Sequence, residues 1–479
     1  MYPKNKSLDY IYAFIIGFVI ALITLFYKYF NFDLLNTDFE TTKYLIPALV
    51  LNETNSIIHF KVSLFDRLPI YPIVISLILK FFGTANYFAI LFFQSILNGL
   101  ILLILIATKN LFTNKYYWLS IFLLALNINF FWSSSIILPD ILNVFFISCA
   151  IYFFLKFILK KQSINLIIIG SIFFGLSFLT KPSGILLPIF LFFFLIIYFL
   201  FKKKYKLTKV LIFSILPITI IALISSPLYL FNYKKTGQFF LTDQKGTHLL
   251  FWIYPCIVKK WGCGARDQDA IKKAVSLSEI ELKKELGTDF KFEYPYAFDF
   301  ENDKLRYTKN LSIEENYFKN IALRSKINEK IFFNLVKEED KIQILTSFIG
   351  SVSKMLLHTS IIGIFEQHDI SYKELKSIIT LKKNNVTISG TIWLISQIII
   401  IFLRILQFYG CVSVFKKNEK KNTWLVIFLL LISLPFIIST MGIGNPRYRI
   451  PLEPILFLLS IIGIKNLKRK EKINKNLKS

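Results

Sequence analysis

Long apolar runs recur along most of this 479-residue chain. Several extend for about 18 residues or more with few charges, which is enough for an α-helix to cross a bilayer. The pattern predicts an all-α polytopic membrane protein with about ten transmembrane helices. The predicted spans are 10–29, 87–108, 117–134, 139–157, 164–180, 183–201, 208–230, 389–413, 423–441 and 448–465.

The apolar run over 68–82 is too short for a simple span. About 14 residues at ~1.5 Å each reach only ~21 Å of a hydrocarbon core about 30 Å thick. Counting this run as a span would also reverse the side of every later loop. We therefore predict a juxtamembrane or re-entrant helix, which suits the prolines at its beginning, Pro69 and Pro72.

One long segment has the composition of a soluble domain. Residues 231–387 contain 20 of the 30 acidic residues, and we expect a mixed external domain there. The run over 342–364 is interrupted by charge and predicts an amphipathic helix on the outer leaflet. Cys256 and Cys263 lie in this domain, where a disulfide is chemically allowed, but the sequence leaves their pairing open. The other parts are a transmembrane module over 1–230, further spans over 388–465 and a basic cytoplasmic tail over 466–479.

The excess of positive charge fits this membrane topology. The 57 Lys plus Arg against 30 Asp plus Glu give a net charge of +27, which in a soluble chain would suggest nucleic acid. In membrane proteins, however, basic residues collect in cytoplasmic loops. With the N-terminus inside, every lysine-rich loop falls on that side, and we expect no nucleic-acid partner. These loops contain Lys109, Lys115, Lys160, Lys161 and the clusters at 202–209 and 416–421.

Polar residues of another kind collect at the predicted outer ends of the spans. Taken alone, each of these residues is equally typical of an acid in an ordinary loop, or of a lysine or arginine whose charged end extends to the membrane interface. Together they favour a binding site for an anion, because cations are otherwise kept on the inner side. They are Asp38, Glu40, Asp66 and Arg67 of the first outer loop (30–70), then Asp140, Lys181, Arg447 and Arg449.

The sequence does not indicate that the bound anion is a soluble nucleotide. The sequence has no GxxxxGK[ST] loop and no GxGxxG after a strand, so it offers no visible nucleotide site. An activated donor available at the outer face is a sugar on polyprenyl phosphate. Its phosphate requires cations, its tail requires a groove between spans, and its acceptor requires a base.

Six segments carry a resemblance to a known family. In chain order they are "DFETTKYLIPALVL", "FDRLPIYPIVISLILKFFG", "LPDILNVFF", "GLSFLTKPSGILLP", "FNYKKTGQFFLTDQKG" and "GNPRYRIPLEPIL". This series resembles the membrane-embedded GT-C glycosyltransferases. The most similar branch is that of the bacterial dolichyl-phosphate-mannose-protein mannosyltransferase relatives, which include the lipid A aminoarabinose transferases.

The resemblance implies a bacterial inner-membrane enzyme with its active site on the periplasmic side. It implies inverting transfer from a polyprenyl-phosphate sugar to a lipid, glycan or protein acceptor, with an acid of the first outer loop as base. Counting back from Tyr44 and Ala48 selects Glu40, while Asp38 is two residues early, so both remain candidates. Asp140 corresponds to a second outer acid, and with Asp38 and Glu40 it completes the set of expected catalytic residues.

The remaining site residues follow from the same resemblance and from phosphate chemistry. Guanidinium groups bind phosphate in a bidentate way that lysine does not match. The expected donor-phosphate ligands are Arg67, Lys181, Arg447, Tyr448 and Arg449. A divalent metal ion is an open expectation, and its candidate ligands are Asp66 and His248.

The alternative function is a transporter or a lipid or glycan flippase. Such proteins place ionisable groups near the bilayer midplane, often in two similar halves. In this sequence the middle parts of the predicted spans are almost free of charge, and no symmetry between halves is visible. The pattern therefore favours the transferase, without identifying its sugar or acceptor.

Overall fold

The computed structural model describes residues 6–31, 39–64, 67–160, 162–202, 206–242, 244–259, 267–287, 317–358, 388–416, 420–439 and 446–476. All regular secondary structure within these ranges is helical. The first half contains α1 Lys6–Asn31, α2 Phe39–Thr54, α3 Ile57–Ser63, α4 Ile70–Phe82, α5 Tyr87–Asn110, α6 Tyr117–Ala125, α7 Ile128–Ser133, α8 Asp140–Leu159, α9 Ile164–Thr180, α10 Leu187–Lys202 and α11 Leu207–Thr236.

The second half continues with shorter helices and then three long ones. They are α12 Gln244–His248, a π-helix Leu249–Ile253, α13 Tyr254–Ile257, α14 Gln268–Leu286, α15 Tyr317–Glu338, α16 Lys341–Leu357, α17 Ile388–Lys416, α18 Lys420–Ser439 and α19 Glu453–Asn476. Two 3₁₀ helices, Pro182–Gly184 and Pro446–Leu452, precede α10 and α19. The tail predicted over 466–479 is therefore helical as far as Asn476.

Eight helices among the described residues are long and apolar enough to cross a membrane. They are Ser7–Phe30, Tyr87–Asn110, Asp140–Leu159, Pro182–Lys202, Leu207–Thr236, Leu394–Phe415, Asn422–Ser439 and Arg447–Leu467. Each overlaps one of the predicted spans, and the all-α polytopic fold class is confirmed. The helix Ile164–Thr180 is also apolar but has only 17 residues.

The predicted span over 117–134 differs from the structure because it is divided into α6 and α7. Asn127 lies between the two helices and its side-chain oxygen accepts a hydrogen bond from the backbone N–H of Phe130 (3.4 Å). An asparagine at this position satisfies an N–H that would otherwise lack a partner at the start of α7. A new helix therefore begins where the hydropathy pattern suggests continuity.

Side-chain contacts mark the two ends of the helical bundle. At one end Lys28, in the last turn of α1, donates to the carbonyl of Ser135 (3.0 Å) shortly before α8. At the other end the hydroxyl of Tyr117 donates to the carbonyl of Asp9 (2.5 Å) near the start of α1. We call the first of these ends, where α8 begins, the Asp140 end.

Lysine-rich connections lie at the end opposite to the Asp140 end. Lys109 closes α5 there and donates to the carbonyl of Lys115 (3.1 Å). Lys160 follows α8, and Lys202 closes α10. Because α8 begins at the Asp140 end and α10 runs antiparallel to α9, these lysines share the far side, as the charge pattern predicted.

Helix α4 stays at the Asp140 end. It leads through residues 83–86 into α5, whose first turn places Phe88 against Phe26 of α1 (ring centroids 6.1 Å apart). Its first turn lies there too, since the hydroxyl of Tyr71 donates to Gln94, whose amide donates to the carbonyls of Ser134 and Ile136 before α8. This agrees with the juxtamembrane helix predicted from its length.

The last helices pack through small residues. An added Cβ at Gly410 of α17 would lie 2.4 Å from the carbonyl oxygen of Leu459, and one at Gly463 of α19 would lie 2.3 Å from that of Leu406. Glycines allow two membrane helices to approach this closely. The pair α17 and α19 thus forms a rigid unit that begins, at α19, beside the Asp140 end.

The segment predicted to be external forms a separate helical core where it is described. We expected a mixed domain, but its described residues contain helices and no strand. Cys256 is disulfide-bonded, while Cys263, with which it could pair, lies outside the described residues. Helix α16 exposes an apolar row in the predicted amphipathic region. The core is built from Leu250, Phe251, Ile253, Tyr254, Ile257, Ala270, Ala274, Ile331, Phe332 and Leu335.

Candidate active site

Asp140 begins α8 and is completely buried. It follows Pro139, whose fixed φ suits the start of a helix. A carboxylate in the first turn is stabilised by the unpaired N–H groups and the positive end of the helix dipole. A charge without solvent needs further partners, however, because desolvating an ion costs several kcal/mol, roughly, unless it is paired.

Two cations provide those partners. Lys181 Nζ lies 2.5 Å from Oδ1 of Asp140, and Arg447 Nε lies 3.0 Å from Oδ2. Each carboxylate oxygen thus has its own cation, one from the turn after α9 and one from the 3₁₀ helix before α19. We call these three residues the Asp140 cluster. It joins parts of the chain that are 41 and 307 positions from Asp140.

The local sequence explains why Lys181 reaches the cluster. Pro182 disfavours helical geometry at the residue before it, and Lys181 is extended with φ −150° and ψ 128°. Helix α9 therefore ends at Thr180, and the lysine turns toward Asp140. Its ammonium group also lies over the ring of Tyr448, 5.2 Å from the centroid.

The members of the Asp140 cluster differ in exposure. The side chain of Asp140 is 0% exposed, that of Lys181 12% and that of Arg447 30%. A ligand arriving from outside the bundle would therefore meet the guanidinium group first. The cluster can present positive charge to an anion while the carboxylate behind it holds the two cations in position.

The first outer loop contributes an aromatic layer. The guanidinium carbon of Arg67 lies 5.2 Å from the ring centroid of Tyr44 in α2, and Tyr44 contacts Tyr71 of α4 edge to face, with centroids 5.4 Å apart. Arg67 is only 8% exposed. Glu40 stands one helical turn before Tyr44 in α2. The side chain of Glu40, and Asp38 and Asp66 entirely, lie outside the described residues.

The first outer loop contains another cation, and the pKa of this group is lowered. Burial lowers the pKa of Lys61 in α3 to about 8. Its ammonium group lies over the ring of Phe231, 5.0 Å from the centroid, near the end of α11. This contact connects α3, in the first outer loop, to the end of α11.

Arg449 occupies a different environment from Arg447. Its Nε donates to Oε1 of Glu453 (2.6 Å), and its Nη1 donates to the carbonyls of Met355 (2.9 Å), Leu356 (3.1 Å) and His358 (2.7 Å). These carbonyls belong to the C-terminal end of α16, where helix groups need donors. The side chain is 1% exposed.

Arg404 of α17 completes this second group. Its Nη2 lies 3.7 Å from Oε1 of Glu453, and its Nε donates to the carbonyl of Leu356 (2.9 Å). We call Arg404, Arg449 and Glu453 the Glu453 cluster. Neither Arg404 nor Glu453 is among the site residues predicted from the sequence. The spacing of four residues between Arg449 and Glu453 was an available signal.

The predicted metal ligands are not brought together by the described structure. His248 ends α12 and its ring stacks near Trp252, with centroids 6.4 Å apart. Within the described ranges, no three His, Cys, Asp or Glu side chains are grouped as a metal site requires. The other candidate, Asp66, lies outside those ranges.

Comparisons with known proteins relate this geometry to a family. Residues 66–229 match the family described as dolichyl-phosphate-mannose-protein mannosyltransferase. An archaeal oligosaccharyltransferase, AglB from Archaeoglobus fulgidus in complex with an inhibitory peptide and a dolichol-phosphate, superposes with a TM-score of 0.51 at 14% identity. That match covers 98% of this chain and 52% of the archaeal one. This chain has the GT-C fold.

Two further structures are similar to this GT-C chain. A second structure of the Archaeoglobus fulgidus oligosaccharyltransferase, tethered to an acceptor peptide, has a TM-score of 0.47 at 13% identity and covers 98% of this chain and 51% of that one. ArnT from Cupriavidus metallidurans in the apo state has a TM-score of 0.36 at 13% identity, with coverages of 97% and 78%. No curated protein sequence matches the chain.

The observed fold is the one that the GT-C resemblance of the six sequence segments implies. The family match includes Arg67, Asp140 and Lys181, but it ends long before Arg447. The chain spans about half the length of the archaeal enzyme. The contact between Asp140 and Arg447 is therefore an observation of this structure, beyond the matched region.

Proposed function

We propose that this GT-C protein is a membrane glycosyltransferase that moves a sugar from a polyprenyl-phosphate donor to an acceptor. The observation that carries the proposal is the Asp140 cluster, in which a buried carboxylate holds two cations and one of them is partly exposed. The family match over 66–229 supports the same class of donor. The acceptor is a lipid, a glycan or a protein.

The cations suit the leaving group of this reaction. When the bond between the anomeric carbon and the phosphate oxygen breaks, negative charge develops on polyprenyl phosphate. Arg447 is placed to donate to that phosphate, with Lys181 as a second positive charge behind it. Fixed charges aimed at a developing anion are usually the largest single contribution to catalysis.

Asp140 takes the role of a positioning residue in this scheme. Both of its oxygens are engaged by cations and its side chain is fully buried. Such a carboxylate is a poor acceptor for a substrate proton, since the adjacent charges stabilise its ionised form. It holds the phosphate-binding cations in place.

The base is then an acid of the first outer loop, either Glu40 in the first turn of α2 or Asp38, which precedes that helix in the sequence. The acceptor hydroxyl attacks the anomeric carbon from the face opposite the phosphate, and its proton passes to this carboxylate. A new C–O bond forms as the C–O bond to the phosphate breaks, which inverts the anomeric configuration. General base catalysis of this kind contributes roughly 10²–10⁴ in rate.

We place the reaction on the outer side of a bacterial inner membrane. The lysine-rich connections at Lys109, Lys160 and Lys202 lie at the end opposite Asp140. Basic loops mark the cytoplasmic side. The Asp140 end would then face the periplasm or the exterior.

Removal of the candidate bases tests the function. Membranes containing the protein receive polyprenyl-phosphate-linked mannose, glucose or 4-amino-4-deoxyarabinose with a radiolabelled sugar, and label transferred to any product is measured. Asp38→Asn and Glu40→Gln are compared singly and together. Because the base is lost, we expect transfer by the double variant to fall by about 10²–10⁴.

The matched control is Glu53→Gln, a change of an exposed acid at the other end of the same helix. It should leave transfer within about twofold of the unchanged protein, since it removes no group of the proposed site. Full activity of the double variant at equal protein level would rule out a base in the first outer loop. Transfer from none of the donors would count against the glycosyltransferase itself.

A further inference from the structure

The turn that leads into α8 is held by buried side chains from two other helices. Gln94 of α5 donates from Nε2 to the carbonyls of Ser134 (2.7 Å) and Ile136 (2.8 Å). Lys28 of α1 donates to the carbonyl between them, that of Ser135 (3.0 Å). Three successive carbonyls, four to six residues before Asp140, are therefore fixed by side-chain donors.

The side chain of Gln94 also makes a hydrogen bond on its other side, to α4. Its Oε1 accepts a hydrogen bond from the hydroxyl of Tyr71 in α4 (2.6 Å). Gln94 is 0% exposed and Tyr71 1% exposed, so neither group has water as an alternative partner. Both amide hydrogens and the amide oxygen are used, and a buried polar group with all its bonds made holds its neighbours in one arrangement.

Tyr71 extends this connection to the first outer loop. Its ring meets Tyr44 edge to face, with centroids 5.4 Å apart. Tyr44 lies in α2, one helical turn after Glu40, and its ring also contacts Arg67. A continuous path of contacts thus joins the helix that carries Glu40 to the turn that precedes Asp140.

We propose that Gln94 and Tyr71 are positioning residues that set the distance between the base on α2 and the phosphate-binding cations of the Asp140 cluster. This inference rests on the proposed function. The two halves of the site come from different helices, and the Tyr71–Gln94 hydrogen bond is the polar contact between α4 and α5 that keeps them in register. A shift of about 1 Å between reacting groups can cost roughly 100-fold in rate.

The mechanism requires a particular kinetic signature. If Tyr71 and Gln94 act through position, their loss misaligns the base and the phosphate site in the transition state, while the donor still binds its cations. The rate constant kcat should fall and the KM for the donor should change little. A general loss of stability would instead reduce the amount of folded protein without altering the kcat of what remains.

The test compares Tyr71→Phe and Gln94→Leu with Tyr198→Phe. Tyr198 is also fully buried, and its hydroxyl donates to the carbonyl of Ile158 (3.2 Å), far from the site at the opposite end of the bundle. All three proteins are assayed in membranes with the polyprenyl-phosphate sugar that the unchanged protein uses, and rates are referred to folded protein. Hydrogen–deuterium exchange of residues 41–50 and 134–140 is measured in parallel.

We expect kcat to fall about 10-fold in Tyr71→Phe and about 100-fold in Gln94→Leu, with the donor KM within about twofold in both. Amide exchange should rise in both segments for these two variants and stay unchanged in Tyr198→Phe. Unchanged kcat in a folded Tyr71→Phe protein would overturn the inference. So would equal kcat losses in Tyr71→Phe and Tyr198→Phe.

The design separates this inference from the proposed function. If the unchanged protein transfers no sugar, the proposed function fails, and the positioning role in catalysis fails with it. If it transfers sugar and Tyr71→Phe matches it in kcat and in exchange, only the positioning role fails. If Gln94→Leu does not fold, Tyr71→Phe decides the question alone, because it removes one hydroxyl and keeps the ring against Tyr44.

Discussion

Two groups of charges share one short segment, and they differ in how far their arginines are exposed. The Asp140 cluster and the Glu453 cluster each contain one carboxylate and two cations, and Pro446–Leu452 contributes an arginine to both. Arg447 is 30% exposed, whereas Arg449 is 1% exposed. The same residue types, two positions apart, therefore meet different surroundings.

The partners of the two arginines explain the difference. Arg449 donates to Glu453 and to three carbonyls at the end of α16, so it joins α16 to the beginning of α19. Arg447 pairs with Asp140 and remains accessible from outside. Charge composition alone does not identify a ligand site. Accessibility, 30% for Arg447 and 1% for Arg449, separates a cation that can meet a ligand from one enclosed by the protein.

The largest effect on the comparison should come from Arg449→Met. This change leaves Glu453 buried beside Arg404, 3.7 Å away, and removes a donor from three carbonyls, of which that of Leu356 keeps the Nε of Arg404. Breaking a buried pair costs about 3–5 kcal/mol, so we expect a marked loss of folded protein. Thermal unfolding in detergent and the yield of monodisperse protein measure it.

The KM of the Arg449→Met variant for the donor provides a second test of this first prediction. The folded fraction of Arg449→Met should bind the donor as the unchanged protein does, because the Asp140 cluster is intact. Normal stability with a raised donor KM would mean that Arg449 binds the donor phosphate, as the sequence resemblance implied. The two clusters would then form one binding site.

The second-largest effect should come from Arg447→Met, which should lower the rate of sugar transfer more than it lowers the stability of the protein. Asp140 keeps Lys181 at 2.5 Å, so its charge stays paired. Loss of a fixed donor to the leaving phosphate should lower sugar transfer about 100-fold, near 3 kcal/mol of transition-state stabilisation. Transfer rates and thermal unfolding of the same preparation measure both quantities.

Arg447→Lys is the companion variant for this prediction. Lysine keeps the charge but lacks the planar fork that binds phosphate through two hydrogen bonds. It should recover part of the lost rate and leave stability close to that of the unchanged protein. A stability loss in Arg447→Met as large as in Arg449→Met, with normal rates in the folded fraction, would make both clusters structural.

Much of the fold could be predicted from sequence because lipid imposes length and hydropathy on a spanning helix. The predicted spans recur as helices, and α4 stays at one end as its length required. The division of 117–134 was missed because it depends on one side chain, Asn127, capping a helix within an apolar run. Hydropathy averages over many residues and does not register a local hydrogen bond.

The site could be predicted only in part, for a geometric reason. Threading placed Asp140, Lys181 and Arg447 on one side of the membrane, and they do meet. It could not separate Arg447 from Arg449. Successive residues of a 3₁₀ helix are rotated by about 120° around its axis. Two side chains that are two positions apart therefore point to different sides. The sequence did not reveal a 3₁₀ helix at this place.

The smallest effect belongs to an exposed ion pair outside both clusters. Lys245 Nζ lies 2.6 Å from Oε1 of Glu329, the same distance as between Arg449 and Glu453, but these side chains are 66% and 30% exposed. Water already solvates both groups, so Lys245→Met should change the free energy of unfolding by no more than about 0.5 kcal/mol. Thermal unfolding beside Arg449→Met measures the contrast. Equal losses in the two variants would show that contact distance, rather than burial, sets the importance of an ion pair in this protein, and the distinction between the two arginines would lose its physical basis.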